Sequence, residues 1–346
     1  MNLAIFLAQY LIVIEFSLIL IIILVTYILK YVFLYIAKNE KKIASQITLF
    51  LAEKTLLNEQ ITPRSFKNKW KNIAILIPII RHLDRNLIQN KWVKIRSNFL
   101  RNIILPLARK STSKNDWVMR YYAAEAFSLF SENNDEQFIL KLLNDTVPII
   151  RYTAANAAIT YGSDDAINSI IIQMSKENWL TQSLYIQAFD KASYGTHYFI
   201  VKLLKTTSDL GIKATCYNIL LKYPLIKVDW DINLDIQSHN VPLMLSALRF
   251  IAHSQWRIAI PILVTLLNDP NWQVKVVTLS CLKDLNAVDT IPQITPCLSD
   301  SNWWVRVAAS QALKSFGEPG NQVLNSLNID VEFITDNIAD SVLNTL

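Results

Sequence analysis

One pattern of hydrophobic and polar positions recurs seven times along the chain, at an interval of 31 residues. Counted from a marker residue, positions −3, +6 and +7 are apolar in every unit, and position +5 is polar in every unit. The markers are Arg120, Arg151, Gln182, Lys213, Met244, Lys275 and Arg306. Each unit therefore predicts a helix of about 12–14 residues that starts near position −3 and is followed by a second apolar helix.

A fixed period over this length indicates a stack of equal helical hairpins, each too small to bury its own apolar face. The predicted turns lie near Ser131, Gly162 and Gly195. The predicted second helices are 137–143, 166–174, 198–204, 258–267 and 290–298. The unit after residue 224 lacks a clean second helix, so we expect an irregularity there.

The N-terminal segment is nearly uncharged. Between Leu3 and Ala37 the only charged residues are Glu15 and Lys30. Because about 20 apolar residues cross a bilayer core, we predict a transmembrane helix within residues 1–37. A cleavable signal peptide is the alternative, but it would begin with basic residues, and no Lys or Arg precedes Lys30.

Basic residues are concentrated directly after this segment. Lys38, Lys41 and Lys42 lie on its C-terminal side, so the positive-inside rule predicts an outside N-terminus at the inner membrane and a cytoplasmic remainder. Residues 38–120 hold 18 Lys and Arg against 5 Asp and Glu, whereas residues 121–346 hold 15 against 22. We expect the basic part to contact anionic lipid head groups, with nucleic acid as the competing interpretation.

These patterns divide the chain into four segments. They are a transmembrane anchor (1–37), a basic membrane-proximal helical cap (38–111), a repeat region (112–318) and a C-terminal cap and tail (319–346). In the cap we predict a helix over 40–60 that either continues out of the membrane or lies along its surface, and further helices over 64–83 and 91–109. The three cysteines form no CxxC motif, so we expect buried free thiols.

Three units carry an Asp six residues before a basic marker. These pairs are Asp145 with Arg151, Asp269 with Lys275 and Asp300 with Arg306. The runs DTVPIIRYTAANAAITYG, DPNWQVKVVTLSCL and DSNWWVRVAASQALKSFG resemble HEAT repeats of the short bacterial kind also found in bilin lyases. The resemblance implies that these Asp and Arg or Lys side chains form a structural ladder between neighbouring units. The other four units lack this Asp, so the ladder should be interrupted.

The predicted fold is accordingly all-α: a right-handed α-solenoid of about seven 31-residue HEAT-like hairpins, preceded by one transmembrane helix and a helical cap. In HEAT-like stacks the helix with the basic residue lines the concave face. Position +5 there is always polar, and helical geometry places position +1 beside it. The candidate binding stripe is Tyr121, Glu125, Tyr152, Asn156, Gln187, Asn218, Arg249 and Gln311, with Trp304 as an exposed aromatic beside a buried Trp303. A merely solvated helix face is the alternative.

Motifs for catalysis are missing from the sequence. With 5 glycines there is no GxxxxGK or GxGxxG loop, and no HExxH occurs. None of the four histidines is followed by Glu, as the HEAT-like iron hydroxylases would require. We therefore expect no catalytic residue, no metal and no cofactor.

The favoured hypothesis is a membrane-anchored scaffold of bacterial origin whose cytoplasmic solenoid binds a partner protein of a membrane-associated complex. A HEAT-like lyase, or another enzyme or chaperone acting on a bound cofactor, is the alternative. A nucleic-acid-binding solenoid is a third and weaker one.

Overall fold

The computed structural model describes residues 2–86, 90–193, 195–223, 226 and 230–327. Helices and turns make up this part of the chain, and no strand occurs in it. The all-α prediction is therefore confirmed. The chain divides into two compact units, residues 1–142 and residues 143–346.

The first unit is built around a single helix that continues well beyond its apolar part. Its helices are α1 (Asn2–Leu57), α2 (Ile73–Asn86), α3 (Asn90–Phe99), α4 (Leu105–Ser111) and α5 (Trp117–Leu129), followed by α6 (Glu136–Leu143) at the boundary. Ile47 and Leu51 near the C-terminal end of α1 are fully buried, and α1 packs against α2 and α3. Hence α1 is part of the folded cap as well as of the apolar segment.

The apolar part of α1 is not covered by protein. Its most hydrophobic 18-residue window has a mean hydropathy of 2.5, and none of that window is buried. Large apolar side chains such as Phe16, Tyr27 and Phe33 are 68–71% exposed. By length and composition, this helix can cross a membrane.

The helix predicted over 64–83 begins only at Ile73, so that prediction was wrong at its N-terminal end. Residues 62–72 instead form turns and a short 3-10 segment, Asn68–Trp70. Trp70 packs 5.4 Å from the rings of both Phe50 and Phe66. The side chain of Asn72 accepts a hydrogen bond from the N–H of Ala74 at 3.0 Å, which favours a helix start at this point.

The helix predicted over 91–109 is present but interrupted. Between α3 and α4 lies a five-residue π-helical turn, Leu100–Ile104, which ends two residues before Pro106. A proline inside a helix lacks the N–H that would bond to the carbonyl four residues earlier, and a π turn accommodates this defect.

The second unit contains paired helices with the predicted period. The marker helices are α7 (Pro148–Tyr161), α9 (Trp179–Ala188), α11 (Leu210–Leu220), α13 (Val241–His253), α15 (Trp272–Asp284) and α17 (Trp303–Ser315). The second helices are α8 (Asp164–Met174), α10 (Thr196–Thr206), α12 (Asn233–Ile236), α14 (Ile260–Leu266) and α16 (Ile291–Ile294), and α18 (Glu318–Ser326) follows. Successive marker helices α11, α13, α15 and α17 pack against one another.

Every marker helix, including α5, starts at position −3, and the residue at position −4 or −3 explains why. In six of the seven units this residue is Asp or Asn, and its side chain accepts a hydrogen bond from a backbone N–H of the first turn. In the remaining unit Val147 cannot do so, but Pro148 occupies the first helical position, where no N–H is needed. The repeated helix start therefore has a local chemical cause.

Positions +6 and +7 form the core in all seven units, as predicted. None of their side chains is more than 3% exposed. They are Ala126, Phe127, Ala157, Ala158, Ala188, Phe189, Ile219, Leu220, Phe250, Ile251, Cys281, Leu282, Ala312 and Leu313. The three cysteines are free and buried, which confirms that prediction as well.

The irregularity expected after residue 224 is present. Its second helix, α12, has only four residues, and a polar network connects it to α11. Asp235, which is 5% exposed, accepts hydrogen bonds from Lys213 Nζ at 2.8 Å and from Tyr217 Oη at 2.7 Å. Trp230 donates to the same Tyr217 hydroxyl at 3.1 Å. A charge-assisted network thus replaces part of the apolar packing in this repeat.

Candidate functional site

The polar stripe at position +5 is only partly exposed. Glu125 is buried, Gln187 is exposed, and the others are half-buried. The half-buried members are Asn156, Asn218, Arg249, Ser280 and Gln311. Because these side chains are partly enclosed, their neighbours decide what each can bind.

In the first repeat, the side chains of the stripe already contact other residues of the chain. Glu125 forms an ion pair with Arg81 of α2, and it accepts a hydrogen bond from Tyr121 Oη at 3.2 Å. Burial, together with the negative charge of Glu125, raises the pKa of Tyr121. Positions +1 and +5 therefore lie side by side as predicted, but Glu125 and Tyr121 join α2 to α5.

Asn156 and Tyr152 likewise make contacts inside the repeat stack, Asn156 within its own repeat and Tyr152 with the next one. Asn156 Nδ2 donates to the carbonyl oxygen of Tyr152 at 3.2 Å. The Tyr152 ring packs edge-on against the buried ring of Tyr185, with 6.0 Å between centroids. These contacts favour a structural role for the two residues.

The last three marker helices behave differently, because their +5 residues line one cavity. The cavity has a volume of about 540 Å³ and brings together Arg249 of α13, Ser280 of α15 and Gln311 of α17. Its other lining residues are Leu221, Ala252, His253, Gln255, Val276, Val277, Cys281, Lys283, Asp284 and Ala308. Here the predicted stripe becomes a concave site with an apolar wall.

The electrostatics of this cavity are set by burial. Desolvation lowers the pKa of Arg249, although a guanidinium remains protonated near neutral pH. Desolvation also raises the pKa of the Asp284 carboxyl, opposed by Lys283, whose Nζ lies 4.0 Å from Asp284 Oδ1. The lining thus carries two basic side chains, Arg249 and Lys283, and one acidic side chain, Asp284, together with hydroxyl and amide groups that can donate hydrogen bonds.

Two further polar side chains at the cavity are engaged with the backbone. The Cys281 thiol donates to the carbonyl oxygen of Leu248 at 3.0 Å, and burial raises its pKa to about 12. His253 Nε2 lies 2.7 Å from the carbonyl oxygen of Tyr223, which fixes that nitrogen as the donor. At neutral pH Cys281 is a protonated thiol, so the arrangement is suited to binding by hydrogen bonds and charge.

The residues proposed for the ladder make two kinds of contact. Lys275 Nζ lies 2.7 Å from Asp300 Oδ2, which joins α15 to the loop before α17. Arg151 and Arg306 donate to the backbone carbonyls of Asp145 and Asp300 within their own repeats, at 3.0 and 2.8 Å. Arg151 also forms an ion pair with Glu177, which lies just before the next marker helix. The Oδ1 atoms of Asp145, Asp269 and Asp300 each accept the backbone N–H two residues later, so these carboxylates shape the loops.

The tryptophan pair at the start of α17 has the reverse of the predicted exposure. Trp303, expected to be buried, is 46% exposed, whereas Trp304, the predicted exposed aromatic, is half-buried. The two rings pack edge-on with 5.5 Å between centroids. Position −3 is the first helical residue and projects from the end of the helix, which explains why Trp117 and Leu210 are exposed there too.

Several residues of the cavity were not identified from the sequence. His253 and Gln255 come from the C-terminal end of α13, and Lys283 and Asp284 from the end of α15. Their signal is the period itself, since Asp284 follows His253 by 31 residues and both line the cavity. The predicted lipid-contacting residues Lys38, Lys41 and Lys42 are exposed on α1.

Comparisons with known proteins support part of this description. A family model described as HEAT repeats matches residues 260–328, which include α15 and α17 with Asp269 and Asp300. The HEAT-repeat resemblance is therefore confirmed for that region, whereas the run from Asp145 to Gly162 lies outside it. No curated protein sequence matches the chain.

Two solved structures are similar to the chain at low sequence identity. YibA of Escherichia coli is 16% identical, with 65% of this chain and 96% of that chain covered and a TM-score of 0.39. An engineered protein is 14% identical, with 76% and 90% covered and a TM-score of 0.36.

Proposed function

We propose that the chain is a membrane-anchored scaffold whose HEAT-like repeats capture a partner protein at the cytoplasmic face of a membrane. The observation that carries the proposal is the cavity at Arg249, Ser280 and Gln311, where three successive repeats present their +5 side chains to one space. Repeat proteins bind partners on surfaces assembled in this way, from equivalent positions of neighbouring units.

Membrane anchoring is supported by the uncovered apolar helix. Residues 14–37 of α1 extend over about 36 Å at the rise of an α-helix, against a hydrocarbon core of about 30 Å. Leaving this many apolar side chains in water is unfavourable, by about 25 cal/mol for each Å² of apolar surface. A bilayer would remove that surface from water.

The course of α1 differs from that of a soluble core helix and from that of a cleaved signal peptide. In the core helix of a soluble protein the apolar window would be buried, whereas in α1 it is exposed. A cleaved signal peptide would be separable from the fold, whereas α1 continues without a break into the buried residues Ile47 and Leu51. These observations support a retained anchor.

The proposed orientation depends on the exposed basic residues after the apolar segment. Lys38, Lys41 and Lys42 are the first exposed cations after Lys30, and positively charged flanks favour the cytoplasmic side. At that surface each could contribute about 1 kcal/mol of attraction to anionic lipid.

The test is chemical crosslinking in cells that express the full chain, followed by detergent solubilisation and mass spectrometry. We compare the wild type with a cavity variant, Arg249→Gln with Gln311→Ala. The control is Lys176→Ala with Lys202→Ala, which changes two exposed residues of the compact unit 143–346 that do not line the cavity. Melting temperatures establish that each variant is folded.

We expect one predominant crosslinked partner that is retained by the control. Its yield should fall about tenfold in the cavity variant, as the loss of a charged hydrogen bond would predict. The absence of any partner sensitive to the cavity variant would contradict the proposal. A partner lost equally from both variants would also contradict it, because the cavity would then have no special role.

A further inference from the structure

The apolar part of α1 carries two charged side chains, Glu15 and Lys30, and both are exposed. Among the residues whose side chains the structure describes, neither of the two forms an ion pair or a side-chain hydrogen bond. A charge in the hydrocarbon of a bilayer is costly, because lipid tails cannot solvate it. Charged residues of membrane helices accordingly face a protein partner or a water-filled cavity, and lipid tails are a poor neighbour for them.

The spacing of these two residues prevents both of their Cα atoms from lying outside the hydrocarbon core. Glu15 and Lys30 are separated by about 22 Å along an α-helix, whereas the core is about 30 Å thick. Lys30 also lies about 12 Å before Lys38, the first lysine of the cytoplasmic flank. Helical side chains lean toward the N-terminus of their helix, so Lys30 leans into the bilayer. The membrane segment therefore contains a charge that requires a partner.

Glu15 and Lys30 lie on one face of α1, together with Thr26. At 3.6 residues per turn, Thr26 follows Glu15 by about three turns, and Lys30 lies within about 60° of both. Ile19 and Ile22 lie on the same face and are 53% and 56% exposed. A face that combines a threonine and charged groups with apolar neighbours is typical of contacts between membrane helices.

The same face of α1 continues into the packed part of the first unit. Leu51 follows Glu15 by about ten turns, which places it on the same side of the helix, and it is fully buried. Ile47 and Thr55, about one turn to either side of Leu51, are buried as well. The side of α1 that packs in the cap is thus the side that carries the charges in the membrane segment. A second helix on this side would extend an existing packing surface.

We propose that this charged face, defined by Glu15, Thr26 and Lys30, binds a transmembrane helix of the partner protein. The partner helix presents a basic side chain at the depth of Glu15 and an acidic side chain at the depth of Lys30. This assignment rests on the scaffold function proposed above and names the part of the partner that lies in the bilayer.

A second copy of the chain is a poorer occupant of the charged face. Two parallel copies would place Glu15 beside Glu15 and Lys30 beside Lys30, and like charges repel strongly where the dielectric constant is low. An antiparallel copy would pair the charges correctly, but it would place Lys38, Lys41 and Lys42 on the opposite side of the membrane. Charge complementarity therefore favours a different protein.

The test is photocrosslinking of the purified full chain to synthetic transmembrane peptides in phosphatidylcholine vesicles. The charged peptide is a biotinylated run of leucines that contains one Lys and one Asp at the spacing of Glu15 and Lys30. The uncharged peptide has Leu at both positions. A benzophenone amino acid replaces either Ile22 on the charged face or Leu24 on the opposite face, and these two residues are 56% and 60% exposed.

Two variants, each combined with the crosslinker at position 22, establish which side chains hold the peptide. Glu15→Leu with Lys30→Leu removes both charges from the face. Ser17→Leu is the control, because Ser17 lies about one half-turn away from Glu15, on the opposite face, at a similar depth. Circular dichroism establishes that the helix content is unchanged.

We expect the charged peptide to give an adduct at position 22 whose yield is about fivefold or more above that at position 24. The uncharged peptide should give a yield at position 22 that is lower by a similar factor. Glu15→Leu with Lys30→Leu should abolish the difference between the peptides, and Ser17→Leu should preserve it. Equal yields from the two peptides, or from the two positions, would overturn the proposal.

The assay also detects the competing occupant. A crosslink at position 22 between two copies of the chain, formed in the absence of peptide, would identify a second copy on the charged face and overturn the proposal. Failure here is distinguishable from failure of the proposed function, because the crosslinking test in cells changes Arg249 and Gln311 and leaves α1 intact.

Discussion

At the scale of single residues, the sequence predicted burial better than it predicted contacts. Positions +6 and +7 were expected to be core, and all fourteen are buried, because an apolar residue at the same helical position of every unit faces the same neighbours. The polar stripe was located correctly, but its members differ in environment. Glu125 pairs with Arg81, which comes from a helix without the repeat spacing, so no pattern in the repeats could indicate that contact.

The boundary between stripe and core is tested by two adjacent residues of α9. Ala188→Asp places a carboxylate at a position that is 2% exposed, whereas Gln187→Asp places it at an exposed one. The first should lower the free energy of unfolding by about 3 kcal/mol or more, and the second by less than about 0.5 kcal/mol. Urea unfolding of the detergent-solubilised variants measures both, and equal effects would contradict the repeat alignment.

At the scale of helices, the period predicted where each element lies but not why it starts and ends there. Asp or Asn occurs immediately before six of the seven marker helices, a capping signal that is present in the sequence beside the apolar pattern. The ends carry a second signal, since Gly162, Gln255, Asn286 and Gly317 are equivalent in the repeat and all have positive φ. The late start of α2 did not follow from the sequence, because Pro63 suits the first turn of a helix, whereas Asn72 provides the actual cap.

A glycine pair tests whether the end of a marker helix is set by backbone conformation. Gly317 follows α17 with φ of 73°, and a Cβ added there would touch nothing within 4 Å. The accompanying ψ of −141° puts Gly317 in a region that essentially only glycine occupies, so Gly317→Ala should lower the free energy of unfolding by about 1–3 kcal/mol through backbone strain alone. Gly195→Ala is the control, because Gly195 is equally open but has φ of −75°, and it should be neutral or slightly stabilising.

The contact between α15 and the loop before α17 predicts a dependence of stability on pH. The hydrogen bond from Lys275 is the main cause of a lowered pKa of Asp300 in the folded state. A carboxyl with a lowered folded pKa contributes stability that is present above its unfolded pKa of about 3.9 and is lost as the pH falls below it. Asp300→Asn should therefore be less stable than the wild type at pH 7, with a difference that shrinks below about pH 4.

Urea midpoints of the two proteins across this pH range measure that difference. Asp289→Asn, which removes an exposed carboxylate from the preceding turn, is the control for a general effect of charge. A difference between Asp300→Asn and the wild type that stays constant with pH would mean that the Lys275 contact does not stabilise the fold.

At the scale of the whole molecule, a nearly uncharged apolar segment, a basic segment and an acidic repeat region follow one another in one chain. We expect a reporter fused after Leu346 to lie in the cytoplasm, because the exposed lysines that follow the apolar segment favour that side. Only a reporter that functions in the cytoplasm should then be active. Alkaline phosphatase, which requires the periplasm, and a green fluorescent protein, which requires the cytoplasm, are the paired reporters. Strong phosphatase activity would contradict the predicted cytoplasmic position of the repeat region.

The central claim, that a partner enters the cavity shared by the last three marker helices, is tested most directly by site-specific photocrosslinking in intact membranes. A benzophenone amino acid is introduced at Gln311, which lines the cavity, or at Lys314, which is exposed on the same helix outside it. We expect a discrete partner adduct from position 311 and only background from position 314. Equal adducts from both positions, or an adduct from position 314 alone, would contradict the claim.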